Sequence, residues 1–183
     1  MVHIVKAAKA AIAAYASAVS LAGNSSITLS TAAAAMANLY LPGFTAFTLG
    51  SITPFPNATI SVSGIAAGLA RYNRSGLGTD IRYEHARVDA ISNQSAICWI
   101  TWKLVTPRNK PENVPRGWSF TDVYGFWLAA NPTGGLEGGW EWSNSEDEYE
   151  KLLETIRCIS HPEGTCALIY VVAAARRGFD GDH

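Results

Sequence analysis

The run Ala96-Ile97-Cys98-Trp99-Ile100-Thr101-Trp102-Lys103-Leu104-Val105 decides how the chain is read. It is rich in β-branched and aromatic residues and contains no Gly or Pro, so it predicts a strand. Trp118 to Ala130 predicts a second strand. Between the two, Pro107, Asn109, Lys110, Pro111, Asn113, Pro115 and Gly117 supply turn chemistry that neither a helix nor a ladder tolerates, and the pair becomes a long hairpin. After a turn at Asn131-Pro132-Thr133-Gly134-Gly135, the segment Gly134 to Trp142 offers a third antiparallel strand. All six tryptophans (Trp99, Trp102, Trp118, Trp127, Trp140 and Trp142) fall between Ser95 and Trp142, which marks this block as the wall of a core or pocket.

Working outward, Asp80 to Ile91 also has a period of two. Asp80, Arg82 and Glu84 share one face of that strand, and Ile81, Tyr83 and His85 share the other. Before it the period is that of helices. Val5, Ala8, Ile12, Tyr15 and Val19 recur at three and four, predicting a helix from His3 to Leu21. Ser30 or Thr31 can cap a second helix, Ala32 to Tyr40, and Thr59 or Ser61 opens a third, Ile60 to Arg74, closed by Ser75-Gly76-Leu77-Gly78. Phe44 to Gly50 reads as an irregular or short-strand segment laid along the core. After the strands, Ser143 to Glu148 looks like a helix start, with acids in its first turn complementing the dipole. Three helices, about four antiparallel strands and a short helix make an α+β layer architecture in one domain spanning 1–183, its core about 3–155. The stretch 157–183, with the apolar run Ala167 to Val172, is an added strand, a lid, a dimer arm or an unstructured end.

The 183 residues are 48% hydrophobic and 16% charged, with net charge −1. Charge this low and balanced excludes a broad basic face for nucleic acid or anionic lipid. No apolar run reaches the roughly 20 residues needed to span a bilayer, so no membrane association is expected. Cys98, Cys158 and Cys166 have no metal spacing, and an odd cysteine count fits a reduced, cytoplasmic setting. The alternative is a signal peptide at Ala10 to Ala22, behind Lys6 and Lys9, in which case the sequons at Asn24, Asn57, Asn73 and Asn93 would matter. His3, His85, His161 and His183 are scattered, so no metal site is expected.

The phrase Leu39 to Gly50, the Ser75-Gly76-Leu77-Gly78 break, Gly117-Trp118 through Asp122-Val123-Tyr124-Gly125-Phe126 and the closing Gly139-Trp140-Glu141-Trp142 resemble the SnoaL-like branch of the nuclear transport factor 2-like superfamily. The resemblance covers about residues 3–155. It implies a cone: three N-terminal helices closing a strongly curved antiparallel sheet around one deep pocket, in homodimers that pair through their sheets. It also implies cofactor-free acid/base chemistry, as in polyketide cyclases, ketosteroid isomerase, scytalone dehydratase, limonene epoxide hydrolase and fungal isomerases of secondary metabolism, beside members that are not catalytic. Trp127 stands where many relatives carry arginine, so any role of that arginine is absent or moved.

Acid/base work in an apolar pocket needs titratable groups whose pKa values burial has moved. Asp122 and Tyr124 lie two apart on a strand and share a face; if that face is concave, a carboxyl and a phenol meet inside. Otherwise Asp122 is a surface residue and Tyr124 plain core. His85 and Tyr83 form a second same-face pair, against the reading of a structural histidine. Asp80, Arg82 and Glu84 suggest either the acid-arginine-acid set of epoxide-opening relatives or a surface ion-pair ladder. Glu141, less so Glu137, is a pocket-acid candidate opposite Trp140 and Trp142, which share a face unless the neighbouring glycines bulge. Trp102, with Cys98 and Ile100, faces the helices as core or as the wall of an aromatic site. Trp140, Trp142, Tyr40, Phe44 and Phe126 complete the substrate-binding candidates. The expected function is a cofactor-free isomerase, cyclase or lyase on a polycyclic or aromatic small molecule; the alternatives are a ligand-binding or dimerisation module and an epoxide hydrolase.

Overall fold

A computed structural model describes residues 2–109, 117–130 and 136–159. The turn residues between 110 and 116, those from 131 to 135 and the stretch beyond 159 lie outside the described residues, and with them most of the expected tail element. The helices are α1 (Val2–Ser20), α2 (Leu29–Ala37), α3 (Ala58–Arg74) and α4 (Glu146–Ile159). The strands are β1 (Tyr40–Thr48), β2 (Ser51–Pro54), β3 (Asp80–Ala90), β4 (Ser95–Val105), β5 (Gly117–Ala130) and β6 (Leu136–Asn144).

Among the described residues six strands, not four, form one sheet in the order β2-β1-β6-β5-β4-β3, and β1 runs parallel to β6, so the sheet is mixed rather than wholly antiparallel. The stretch read as irregular is β1 with the β2 hairpin; the two-residue turn Leu49-Gly50 has φ 48° and 71°, the left-handed pair that a tight hairpin requires. Helices cover one face and the sheet stays open, an α+β cone rather than a closed barrel.

The alanines of α1 favour helix, and its buried stripe is Ile4, Ala8, Ile12, Tyr15 and Val19; Ile4 takes the place expected for Val5. By length and composition alone this helix, over His3–Gly23, is apolar enough to cross a membrane, contrary to the sequence reading, because runs of alanine raise hydropathy without making a continuous bulky stretch. In this fold its bulkiest side chains are core instead. The caps differ from those expected: Thr28 accepts from Thr31 N at 3.1 Å to start α2, and Asn57 Oδ1 accepts from Ile60 N at 3.0 Å to start α3.

Cross-strand partners share a face of the sheet. Ala96, Cys98, Ile100, Trp102 and Leu104 of β4 point inward, beside Phe120, Asp122, Tyr124, Phe126 and Leu128 of β5. Two bulges break the simple alternation. In β3 the register shifts between Tyr83, opposite Trp102, and His85, opposite Thr101, so these two residues lie on different faces rather than one. In β6, Trp140 pairs with Phe126 and Trp142 with Gly125, so Glu141 is the extra residue and the two tryptophans also face opposite ways.

The indole of Trp142 lies flat over Gly125, where an added Cβ would sit 2.1 Å from Nε1. Gly125→Ala is expected to cost about 1–3 kcal/mol through overpacking, read as a lower urea midpoint. An unchanged midpoint would show that the ring is not seated there.

Candidate functional site

α3 packs on α2 and stands off the sheet, which leaves a cavity of about 930 Å³ between α3, the helix-facing side of β4 and β5, and the start of α4. Most of its wall is apolar or aromatic. Tyr15 is the hub: its ring meets Tyr124 at 5.4 Å, Trp140 at 5.8 Å and Trp102 at 5.9 Å, all edge-on. Its hydroxyl is 3.0 Å from that of Tyr40, whose ring stacks on Phe44 at 3.8 Å.

Two carboxyl groups enter this wall. Asp122 is 4% exposed; its Oδ2 accepts from the Tyr124 hydroxyl at 3.3 Å, and its Oδ1 is buried with no hydrogen-bond partner among the described residues. Glu148 comes from the first turn of α4 and accepts a hydrogen bond from the Tyr72 hydroxyl. Burial pushes Asp122 well above the carboxylate range, and the charge of nearby Glu148 pushes it further, against the opposing Tyr124 hydrogen bond. Burial raises Glu148 to about 7, with the Tyr72 bond pulling the other way. The phenols shift as well. Tyr15 rises to about 12, chiefly by desolvation, and desolvation lifts Tyr40, Tyr72 and Tyr124, so all four are donors at neutral pH.

α4 is docked so that Glu148 reaches the cavity. β6 ends at Asn144, opposite Val123, so the β5 backbone before that point lacks a strand partner on this side. Asp147 takes the place of one: its Oδ2 accepts from Thr121 N at 2.6 Å and from Lys151 Nζ at 2.9 Å, while Lys151 also donates to the Ser119 carbonyl at 3.1 Å. Glu146 Oε1 accepts from Gly50 N at 2.9 Å, pinning the β1–β2 turn. The three acids of this turn therefore do three separate jobs, where the sequence reading saw only a complement to the helix dipole.

Family models and curated proteins yield no match to the chain. Solved structures do match. A domain of unknown function with a cystatin-like fold from Nostoc punctiforme is 12% identical, with 94% of this chain and 96% of that one covered and a TM-score of 0.50. The chain has a cystatin-like fold. An NTF-2 like protein of unknown function from Shewanella oneidensis (13% identical, 79% and 97% covered, TM-score 0.47) and a ketosteroid isomerase-like protein from Erwinia carotovora atroseptica (14%, 74% and 89%, 0.48) are also similar. At such identities the likeness concerns the fold alone.

Within this cystatin-like fold, Asp122, Tyr124, Trp102, Tyr40 and Phe44 line the cavity. The remaining sequence candidates do not. His85 is exposed on the outer face, 3.2 Å from the Thr101 hydroxyl, and Tyr83 is 46% exposed at the edge strand, because the β3 bulge parts them. Glu141 is the exposed bulge residue of β6; the side chain of Glu137 lies outside the described residues. Trp140 and Phe126 are packed core behind the cavity, and Trp142 is turned to the outer face by the same bulge. Asp80 and Arg82 pair on the surface at 2.6 Å and Glu84 meets Lys103 at 3.8 Å, the ladder rather than the catalytic set. Trp127, in the place of the relatives' arginine, is half-exposed on the outer face. Glu148, Tyr15 and Tyr72 were missed. Tyr15 and Tyr72 were legible only as buried helix stripe, and nothing local distinguishes Glu148 from Glu146 or Asp147. Among the described residues no group of three or more His, Cys, Asp or Glu is arranged to hold a metal ion.

Proposed function

We propose that the protein is a cofactor-independent acid/base enzyme, an isomerase, cyclase or lyase, acting on a polycyclic or aromatic small molecule. The observation that carries this reading is the pair of carboxyls in one apolar cavity: Asp122, buried beside a phenol with its Oδ1 unbonded among the described residues, and Glu148, held by a second phenol. Two acids in different surroundings take different roles. Asp122, whose ionisation burial and the charge of Glu148 disfavour, donates a hydrogen bond and then a proton to a carbonyl or hydroxyl oxygen on the ligand, with Tyr124 as its second donor. Glu148, half ionised near pH 7, takes a proton from carbon. Tyr15 and Tyr40 extend the donor chain from Tyr124 and stabilise developing oxyanion charge.

A non-catalytic binding module is the second reading. It would suit a cavity filled by its own tryptophans, yet only Trp102 of the six lines this one. Epoxide hydrolysis loses its support, since the acid-arginine-acid set lies outside. A homodimer paired through the outer sheet face, where Trp99 and Trp127 are 37% and 39% exposed, and a cytoplasmic location belong to the same proposal.

The test is proton transfer itself. A panel of polycyclic ketones incubated with the protein in D2O should yield at least one that gains deuterium α to its carbonyl, as read by mass spectrometry, and Tyr124→Phe should slow that exchange. Ligands that bind tightly without any exchange or isomerisation would favour the binding module.

A further inference from the structure

The cavity face of α3 is unusual for a helix. Ile60, Gly64, Gly68, Arg71 and Ser75, spaced at four, four, three and four, all line the cavity, so they form one stripe along the helix. Two of the five are glycines, the poorest ordinary residues for a helix interior. Gly64 accommodates the ring of Phe55, which lies 2.6 Å from where a Cβ would stand. Gly68 has no such occupant: among the described residues nothing lies within 4 Å of the position of a Cβ there. Bare helix backbone therefore faces open cavity for about one turn.

Directly beyond that bare turn come Arg71 and Arg74, three apart and on the same side of the helix. Both line the cavity and both are exposed, and among the described residues neither is in an ion pair. Basic residues in a last turn complement the helix dipole, which accounts for charge at this end but not for its placement over the cavity. The same cavity holds two buried carboxyls, Asp122 and Glu148, the latter bonded to Tyr72, which neighbours Arg71 on α3. The cavity is thus polarised in depth, with buried acids inside and, at its exposed rim, two guanidinium groups that make no ion pair among the described residues.

We propose that the ligand is a planar polycyclic molecule bearing a carboxylate, its ring body laid along the bare backbone at Gly68 and its carboxylate held at the rim by Arg71 and Arg74. Arginine presents a planar fork of donors that matches a carboxylate bidentately, and a flat ring system fits a helix surface from which side chains have been removed. The inference deepens the enzyme reading above by naming the ligand class. It rests on that reading only for the end of the ligand that reaches Asp122.

Pyrene-1-carboxylate and its neutral methyl ester serve as probes, titrated by fluorescence at about pH 6, where the free acid is ionised and Glu148 largely protonated. The carboxylate should bind about tenfold tighter than the ester. The double variant Arg71→Gln/Arg74→Gln should erase that preference and leave ester affinity unchanged. Gly68→Leu, which favours helix, should weaken both probes about tenfold without lowering the unfolding temperature. Equal affinities in the parent protein, or a preference that survives the double variant, would overturn the role of the arginines. Undiminished binding in Gly68→Leu would overturn the placement of the ring body, and no binding of either probe would overturn the whole inference. Asp122→Asn should keep the carboxylate preference while losing exchange chemistry. Exchange that persists without an acid preference would sink this inference and leave the enzyme reading standing.

Discussion

Asp122→Asn is expected to cut proton transfer by about 10²–10⁴-fold while raising the unfolding temperature at neutral and alkaline pH. The first half follows from its position, a carboxyl inside the cavity with a phenol on one oxygen and, among the described residues, no partner on the other. Asparagine keeps the shape but cannot give up a proton at neutral pH. The second half follows from linkage. Burial and the charge of Glu148 raise the folded pKa of Asp122 above its unfolded value of about 4. Its contribution to stability is therefore fully present below that value and declines as pH rises toward the folded pKa, by about 1.4 kcal/mol per pH unit at most. The amide cannot ionise, so the variant escapes this decline, and the gap between variant and parent should widen from pH 5 to pH 8. Differential scanning calorimetry across that range reads it. A variant destabilised equally at every pH would mean that Asp122 is an ordinary buried polar group whose acidity is unshifted.

The second large effect concerns Glu148. With its pKa near 7, kcat/KM should rise with pH through about 7 and level off once the carboxylate is formed. Glu148→Gln should lose about 10²–10⁴-fold and, more tellingly, lose that rising limb. Tyr72 supplies a signed control. Its hydroxyl donates to Glu148 and so favours the ionised form; removing it in Tyr72→Phe should raise the Glu148 pKa and move the limb to higher pH. A limb that stays in Glu148→Gln would assign the titration to another group, with Asp122 first in line. A limb that moves downward in Tyr72→Phe would contradict the direction of that hydrogen bond's effect.

The success of the sequence reading varied with how locally each feature is encoded. Asp122 and Tyr124 were placed together because β5 pairs with β4 without interruption, so a separation of two residues does mean one face. The same rule misled for Tyr83 and His85, and for Trp140 and Trp142, where a single extra residue, Glu84 or Glu141, inserts a bulge. Bulges are made by how two strands fit, and the glycines near Glu141 permitted one without requiring it. β1 was hard to read because Pro42 and Gly43 interrupt it and its ladder to β6 is broken between Tyr40 and Thr45. Glu148 could not have been chosen from its neighbours, since Glu146, Asp147 and Glu148 are equivalent until the docking of α4 gives each a different partner.

By itself the sequence determined the α+β class, the positions of the helices, the hydrophobic block from Ser95 to Trp142 and the Asp122–Tyr124 pair, because periodicity and turn chemistry act over a few residues. Tertiary structure alone decided that the sheet face bearing Asp122 is concave, that Glu148 arrives beside it from a helix 26 residues later, and that His85, Tyr83 and Glu141 point away. The physical reason is that burial and charge coupling are properties of what packs around a group. Asp122 has its shifted acidity only because α4 and the tyrosines enclose it.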